Sequence, residues 1–364
     1  MRPTLCHIDL SAIAANVATL KASAAAPLCA VVKANGYGHG AIEVARAALD
    51  AGAEWLAVAL VEEGIELRQE GVEAPILLLS EPTHSALPAA VEFRLTPTVY
   101  RQSTVTVLAE IAANREAPIA VHVGVDTGMR RVGAELDDLA SVVDAVEAEA
   151  RLRLEAIWTH CPVADEPGNA FTERQLERFS DAVAALGRDV GTHVANSAAA
   201  MTRLASGSFM VRCGIALYGI DPDPALAGVV DLVPSLSLRS EVSFIKSIRA
   251  GEAVGYGHRW TADQDTTIAT VPIGYADGVR RDFGLRGGTV LIGGSAFPIV
   301  GVVTMDQLMV DVGGADVSVG DEVVLIGRQG ASEQSANDVA QTLGTIGYEV
   351  VCAISSRVPR HYRV

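Results

Sequence analysis

Residues 29–52, CAVVKANGYGHGAIEVARAALDAG, set the reading of the chain. A short apolar run (29–35) is followed by a glycine-rich turn and then by an amphipathic stretch, IEVARAALDAG, with helical spacing. This is one strand–turn–helix unit, with Lys33 at the strand end. The same texture recurs. Candidate strands WLAVAL (55–60), PILLLS (75–80), LTPTV (95–99), IAVHVGVD (119–126), LEAIWTHC (154–161), THVANS (192–197) and MVRCGI (210–215) alternate with helical patterns. Eight strand–helix alternations over residues 10–225 predict an α/β fold, a TIM-like (β/α)8 barrel. No GxGxxG follows the first strand, which weakens the doubly wound alternative.

After residue 225 the period turns mostly to two, in TTIATVPIG, GTVLIGG, AFPIVGVVT, QLMVDVG, DEVVLIG and EVVCAI. A mostly β domain is therefore expected over 226–364, interrupted by one helix, SANDVAQTLGT. The strand-like opening, residues 1–9 with LCHIDL, is expected to join it.

Composition narrows the function. The 364 residues are 49% hydrophobic and 20% charged, enough to bury sizeable cores and to exclude a disordered chain. Asp and Glu (44) outnumber Lys and Arg (28), giving a net charge of −16, which argues against nucleic-acid and anionic-membrane partners. The sequence contains no membrane-length apolar stretch and no signal-like start. The five cysteines form no CxxC pair and read as buried thiols of a reducing, cytoplasmic compartment.

Three of the 28 basic residues are lysines: Lys21, Lys33 and Lys246. Where arginine supplies nearly every cation, a retained amine suggests chemistry that a guanidinium cannot perform, such as condensation with an aldehyde. Lys21 reads as a solvated helix end and Lys246 as an outward strand residue. Lys33 stands at a barrel-strand end, where barrel active sites lie. Other strand ends supply Asn35 and Tyr37; Asp126, Arg130 and Arg131; His160 and Cys161; Asn196 and Ser197; and Arg212, Gly214 and Ile215. One lysine, one histidine, several arginines and turns able to offer backbone N–H groups suit an anionic, phosphate-bearing cofactor. Taken singly, many of these residues have ordinary readings: Ser197 as a helix cap, Arg212 as a rim salt bridge, Tyr37, Tyr256 and Tyr348 as aromatics of the surface or half-buried.

VVKANGYGHG resembles the cofactor-lysine motif of alanine racemases. VDTGMRRVG, WTHCPVADE, HVANSAA, VRCGIALYGIDP, AVGYGHRW, VPIGYADG, VVTMDQLMVDV and TIGYEVVCAISSRVPRHY are similar to further segments of that family, in its order. The resemblance runs from residue 31 almost to 364. It implies pyridoxal 5'-phosphate as cofactor, held by Lys33, and interconversion of L- and D-alanine by two bases, Lys33 and Tyr256. Removal of a proton from one face of the α-carbon and its return to the other needs a base on each side. It also implies that Arg212 faces the pyridine nitrogen and that His160 links Arg212 to Tyr256. Tyr37, Asn196, Ser197, Gly214, Ile215 and Tyr348 would complete the cofactor site. Arg131 would clamp the substrate carboxylate, with Tyr275, Met305 and Asp306 lining the pocket. Tyr256, Tyr275, Met305 and Asp306 would come from the partner chain of a homodimer.

The alternatives are a racemase of another small amino acid such as serine, a fold-related decarboxylase, a non-catalytic carrier of the cofactor, and a metal-dependent hydrolase using His160, Asp126 and His193. No HxH pair supports a metal site, and none is expected. The chain departs from the family pattern at Gly124, where a lysine, often carbamylated, is usual, and at Arg130, where glycine is usual. Two adjacent guanidiniums without that carbamate lead to the expectation of a small anion such as chloride, or an acidic side chain, beside Arg131.

Overall fold

The computed structural model describes residues 2–113, 115–204 and 208–364. It divides into two compact units, Ile13–Gly36 with Ala41–Val233, and Met1–Ala12 with Tyr37–Gly40 and Pro234–Val364. Strand β1 (Leu5–Asp9) belongs to the second of these.

In the first unit, β2 (Leu28–Val31), β3 (Trp55–Val58), β4 (Ile76–Leu78), β5 (Thr98–Val99), β6 (Ile119–Gly124), β7 (Leu152–Trp158), β8 (Gly191–His193) and β9 (Val211–Cys213) are all parallel. They form two runs, β4-β3-β2-β9 and β5-β6-β7-β8. One seam closes through the Leu77–Thr96 bridge, the other through hydrogen bonds from Phe209 N to Thr192 O and from Arg212 N to Ala195 O, both 2.9 Å. The result is the expected eight-stranded barrel. Its strands are rich in apolar residues because the fold buries both faces of most of their length: all four residues of β2 are buried. The helices cover it with one face each. Ala41–Asp50 buries Ala41, Val44, Ala45 and Ala48, spaced i, i+3, i+4, i+7.

The first strand is shorter than its apolar run. Beyond Val32 the backbone enters a left-handed turn, with φ of 52°, 52°, 61° and 52° at Ala34, Asn35, Gly36 and Tyr37. Three of these are not glycine, so the turn costs about 1–2 kcal/mol for each of them and must be held by its surroundings. Ala34 N donates to Glu63 Oε1 (2.6 Å), Asn35 Oδ1 accepts from Ala41 N (3.0 Å) and Gly36 N donates to Val32 O (2.8 Å). Glu63 also caps its own helix, Val61–Gln69, by accepting from Ala59 N and Leu60 N. Lys33 is therefore presented from a braced segment.

In the second unit β1 pairs antiparallel with β10 (Leu236–Glu241) and parallel with β20 (Arg360–Arg363). The remaining strands are β11 (Phe244–Ile248), β12 (Ala253–Val254), β13 (Trp260–Thr261), β14 (Thr266–Val271), β15 (Thr289–Ile292), β16 (Ser295–Pro298), β17 (Leu308–Asp311), β18 (Glu322–Gln329) and β19 (Ser332–Gln334). They build a sheet ordered β16-β15-β18-β10-β1-β20, with β19 on β18, a three-stranded sheet β11-β14-β17 and the pair β12-β13. The helix read from SANDVAQTLGT is present at Ala336–Leu343, opened by a Ser335–Asp338 capping box. EVVCAI, in contrast, is not a strand. Gly347–Cys352 is helical, and its buried residues Gly347, Val350 and Val351 stand at i, i+3, i+4. The adjacent valines invite a β reading; the spacing from Gly347 satisfies a helix face. Tyr348 is carried on this helix.

Candidate active site

In the barrel unit, Arg212 on β9 is the organising side chain. It is 3% exposed, and burial draws its guanidinium down to about 10. No carboxylate touches it among the described residues. Its donors go instead to Thr159 O (2.9 Å), His193 O (3.1 Å), Val194 O (3.2 Å) and His193 Nδ1 (2.6 Å), and its plane lies 4.6 Å over the Trp158 ring. A guanidinium only donates, so His193 must present Nδ1 without a proton. His193 Nε2–H then points to His122 Nδ1 at 3.0 Å, and His122 Nε2 lies 3.4 Å from Glu155 Oε2. Burial holds both imidazoles below their ordinary range, so they are neutral.

His160 Nδ1 stands 3.4 Å from Arg212 Nη2. Desolvation, then the charges of Arg212, Arg131 and Lys33, push His160 down to about 3. These four residues thus share one electrostatic neighbourhood, rich in cations. Asn196 caps the helix Ser197–Met201 through Ala199 N and donates to Cys161 O at 3.0 Å. Ser197 Oγ accepts from Gly214 N (2.9 Å) and Ala216 N (3.4 Å), next to the start of the short helix Ile215–Tyr218. The Gly214 N–H, expected to point at a phosphate, is here directed to Ser197.

Arg131 is exposed and borders a small cavity of about 20 Å³ with Tyr100, Gly124, Met129, Trp158 and His160. A Cβ at Gly124 would meet Thr98 Cγ2 at 3.1 Å and Trp158 Nε1 at 3.5 Å, so the indole occupies the space beside the glycine. The expectation of two uncompensated guanidiniums is corrected: Arg130 turns outward and pairs with Glu135 at 2.9 Å. His160, Asp126 and His193 do not act as a ligand set. His193 is committed to Arg212 and His122, and Asp126 Oδ1 accepts the N–H groups of Gly128 and Arg130.

In the β unit, the Tyr37 and Tyr348 rings lie 6.2 Å apart. The turn carrying Tyr275 and the loop carrying Met305 are joined through their backbones, Tyr275 N donating to Thr304 O at 2.9 Å and Ala276 N to Met305 O at 3.1 Å. Asp306 accepts from Arg357 at 2.7 Å. Tyr256 stands apart from these, 72% exposed on the single turn Tyr256–His258. Sequence reading passed over Trp158, His122, Glu155 and Glu63. A histidine inside the otherwise apolar strand IAVHVG was the available signal for the first buried imidazole.

A lysine braced at the end of the first barrel strand, beside Arg131 and Arg212, which have no carboxylate contact among the described residues, fits a cofactor carrying both an aldehyde and a phosphate. Fold and site together define a pyridoxal-phosphate enzyme of the barrel class. Family models described as alanine racemase, N-terminal domain, and alanine racemase, C-terminal domain, match residues 8–222 and 235–362. The chain belongs to the alanine racemase family. The alanine racemase of Symbiobacterium thermophilum is 44% identical over 368 residues, covering 100% of this chain and 97% of that protein. The crystal structure of alanine racemase from E. faecalis superposes with a TM-score of 0.95 at 40% identity, covering 100% and 98% of the two chains. A histidine racemase from Leuconostoc mesenteroides has the same fold at 29% identity, TM-score 0.90, with 100% and 98% covered. The activity is amino-acid racemisation, with alanine as substrate and pyridoxal phosphate as cofactor.

Proposed function

We propose that Lys33 and Tyr256 are the two bases of this racemase, and that the site is completed by the β unit of a second copy. The observation that carries this reading is Lys33 on its braced left-handed turn, its charge bearing on His160, which burial and then Arg212 and Arg131 push well below the usual imidazole range. Pyridoxal phosphate, when bound, withdraws the electron pair left on the α-carbon and so makes its hydrogen labile. Lys33 would hold the aldehyde and, once released, take or return the proton on one face; Tyr256 would do so on the other. Arg212 would face the pyridine nitrogen. As a donor that keeps its own proton it leaves the ring neutral and limits protonation away from the α-carbon, which separates this site from a decarboxylase with a carboxyl there. Ser197, Ile215, Tyr37 and Tyr348 would receive the phosphate, joined by Gly214 where its N–H turns from Ser197 to the ligand, while Asn196 would hold the Ser197 helix in place. Arg131 would take the substrate carboxylate in a forked hydrogen bond, with Tyr275, Met305 and Asp306 narrowing the pocket around a methyl-sized side chain.

In one chain Tyr256, Tyr275 and Met305 are exposed, as residues offered to a partner would be. Four of the five cysteines, Cys6, Cys29, Cys161 and Cys213, are buried thiols as expected, which supports residence in the cytoplasm; Cys352 is exposed instead. Among the described residues no helix is long and apolar enough to cross a membrane.

Borohydride reduction should fix the cofactor to Lys33, and Lys33→Arg should be inactive. Purified protein that stays colourless and inactive after incubation with the cofactor would end the reading. Tyr256→Phe should slow α-proton exchange of one enantiomer by about 10²–10⁴-fold more than that of the other. Mixing inactive Lys33→Arg and Tyr256→Phe subunits should regenerate activity, because one of the two mixed sites is intact; a mixture that stays inactive rules out shared sites.

A further inference from the structure

We infer that Arg2 is a positioning residue for the substrate pocket, locking the turn that carries Tyr275 through the buried carboxylate of Asp277. The inference rests on the proposal that Tyr275, Met305 and Asp306 line that pocket. Arg2 lies far from them in sequence, on the segment leading into β1. Its Nε and Nη2 donate to Pro272 O at 3.0 and 2.5 Å, its Nη1 donates to Asp277 Oδ1 at 2.7 Å and its Nη2 to Asp277 Oδ2. One guanidinium therefore spans residues 272 and 277 and brackets Ile273–Ala276. A planar fork can do this; a point charge cannot.

The Asp277 carboxylate is completely buried. Burial pushes it up, but the hydrogen bonds from Arg2 and from Gly274 N–H (2.9 Å) outweigh that and hold it below the usual carboxylate range. The charged groups facing it are Arg2 and, at 3.5 Å from Oδ1, Arg357. Arg357 is shared, since its Nη2 also holds Asp306 Oδ1 at 2.7 Å.

The turn itself has no slack. A Cβ at Gly274 would fall 2.3 Å from Thr304 O and 2.4 Å from Met305 O, so the backbone of 274 lies directly on the loop that presents Met305. On another side, Ser355 N donates to Asp277 O (3.1 Å) and Ser355 Oγ to Ala276 O (2.8 Å). Remove Arg2, and a buried carboxylate keeps one backbone donor and one distant arginine. Leaving such a group under-satisfied is costly, so Arg357 is drawn from Asp306 toward Asp277. Tyr275 and Asp306 then lose their supports together. Residue 2 thereby acts on two pocket residues while touching neither.

The test uses full-length holoenzyme carrying Arg2→Met, which keeps the alkyl stem, and Arg2→Lys as a milder change that preserves folding. In Arg2→Met, the amides of 274–278 should exchange with deuterium about tenfold faster, with the barrel amides unchanged. KM for both alanine enantiomers should rise about tenfold with kcat altered less than about threefold, because positioning is lost and the bases are not. Arg2→Lys should recover part of both effects. Unchanged exchange over 274–278 would overturn the inference, as would a fall in kcat at constant KM. Faster exchange without a change in KM, while Tyr275→Ala raises KM, would overturn it too. If Tyr275→Ala itself leaves KM at the wild-type value, the pocket reading fails first and takes the inference with it.

Discussion

His193→Phe is the most informative single perturbation of the barrel interior. The phenyl ring can keep the parallel stack on Trp158, 5.7 Å and 7° in the native protein, while deleting both ring nitrogens. Two losses follow. Arg212 gives up its 2.6 Å bond to Nδ1, and a hydrogen bond from a charged donor is worth about 1.5–3 kcal/mol. His122 Nδ1, fully buried, loses its 3.0 Å donor and is left unsatisfied, at about 1–3 kcal/mol. The expected destabilisation is about 3–5 kcal/mol, a large part of the roughly 5–15 kcal/mol typical of a domain. His122→Phe alone strands the His193 Nε2–H. The double variant strands neither group across that bond, so it should be more stable than the sum of the single effects by about 1–2 kcal/mol. Urea unfolding of the cofactor-free protein at fixed concentration, followed by tryptophan fluorescence with equal slopes, measures the cycle. Additivity to within about 0.5 kcal/mol would show that the two imidazoles are packed side by side without sharing a proton, and the assigned tautomers would be wrong.

Further outcomes follow from the same geometry. His160, His122 and His193 are all held below the ordinary imidazole range when folded, so the unfolded chain binds more protons below about pH 6.5. Their contribution is complete above that pH and is lost as pH falls toward the folded values, near 3 for His160; each histidine steepens the loss by about 1.4 kcal/mol per pH unit, and removing one should flatten the measured slope. Glu63→Ala takes the acceptor from Ala34 N and from two cap amides, so it should raise the cofactor dissociation constant, measured by absorbance titration, about tenfold or more; an unchanged constant would show that the left-handed turn stands without it. Gly124→Lys brings a Cβ to 3.1 Å from Thr98 Cγ2, tight enough that Thr98 must give way, so it should lower stability by about 1–3 kcal/mol in place of restoring a carbamate site; bicarbonate-dependent activity in a variant as stable as the parent would contradict this.

The barrel was legible because its signal is local: apolar runs of strand length, amphipathic helices between them, and a lysine where the first run stops. What was not legible depends on contacts remote in sequence. The left-handed turn after Lys33 is set by Glu63 and Ala41, and nothing in KANGY alone dictates positive φ at Ala34, Asn35 and Tyr37. The first strand therefore stops at Val31, short of the apolar run that suggested it. EVVCAI misled because six residues hold too little periodicity to separate two adjacent buried valines on a helix from a buried strand. The Arg212–His193–His122 chain needs β9, β8 and β6 in register around a closed barrel, which pattern reading does not supply. Arg2 and Asp277 are further apart still, 275 positions along the chain.

Charge is distributed against the grain of the composition. The chain carries −16 overall, yet neither Arg131 nor Arg212 has a carboxylate contact among the described residues, and both bear with Lys33 on one neutral histidine. Elsewhere the same protein spends carboxylates freely on arginines, even buried ones, as Asp277 and Arg2 show. A fold selected for stability alone would neutralise the barrel cations too, since a desolvated guanidinium without a counter-charge is unfavourable. Leaving them unmatched makes sense when anions arrive with the reaction: a phosphate-bearing cofactor and a substrate carboxylate. Each would relieve repulsion among these cations, so binding free energy and folding free energy are linked at these side chains.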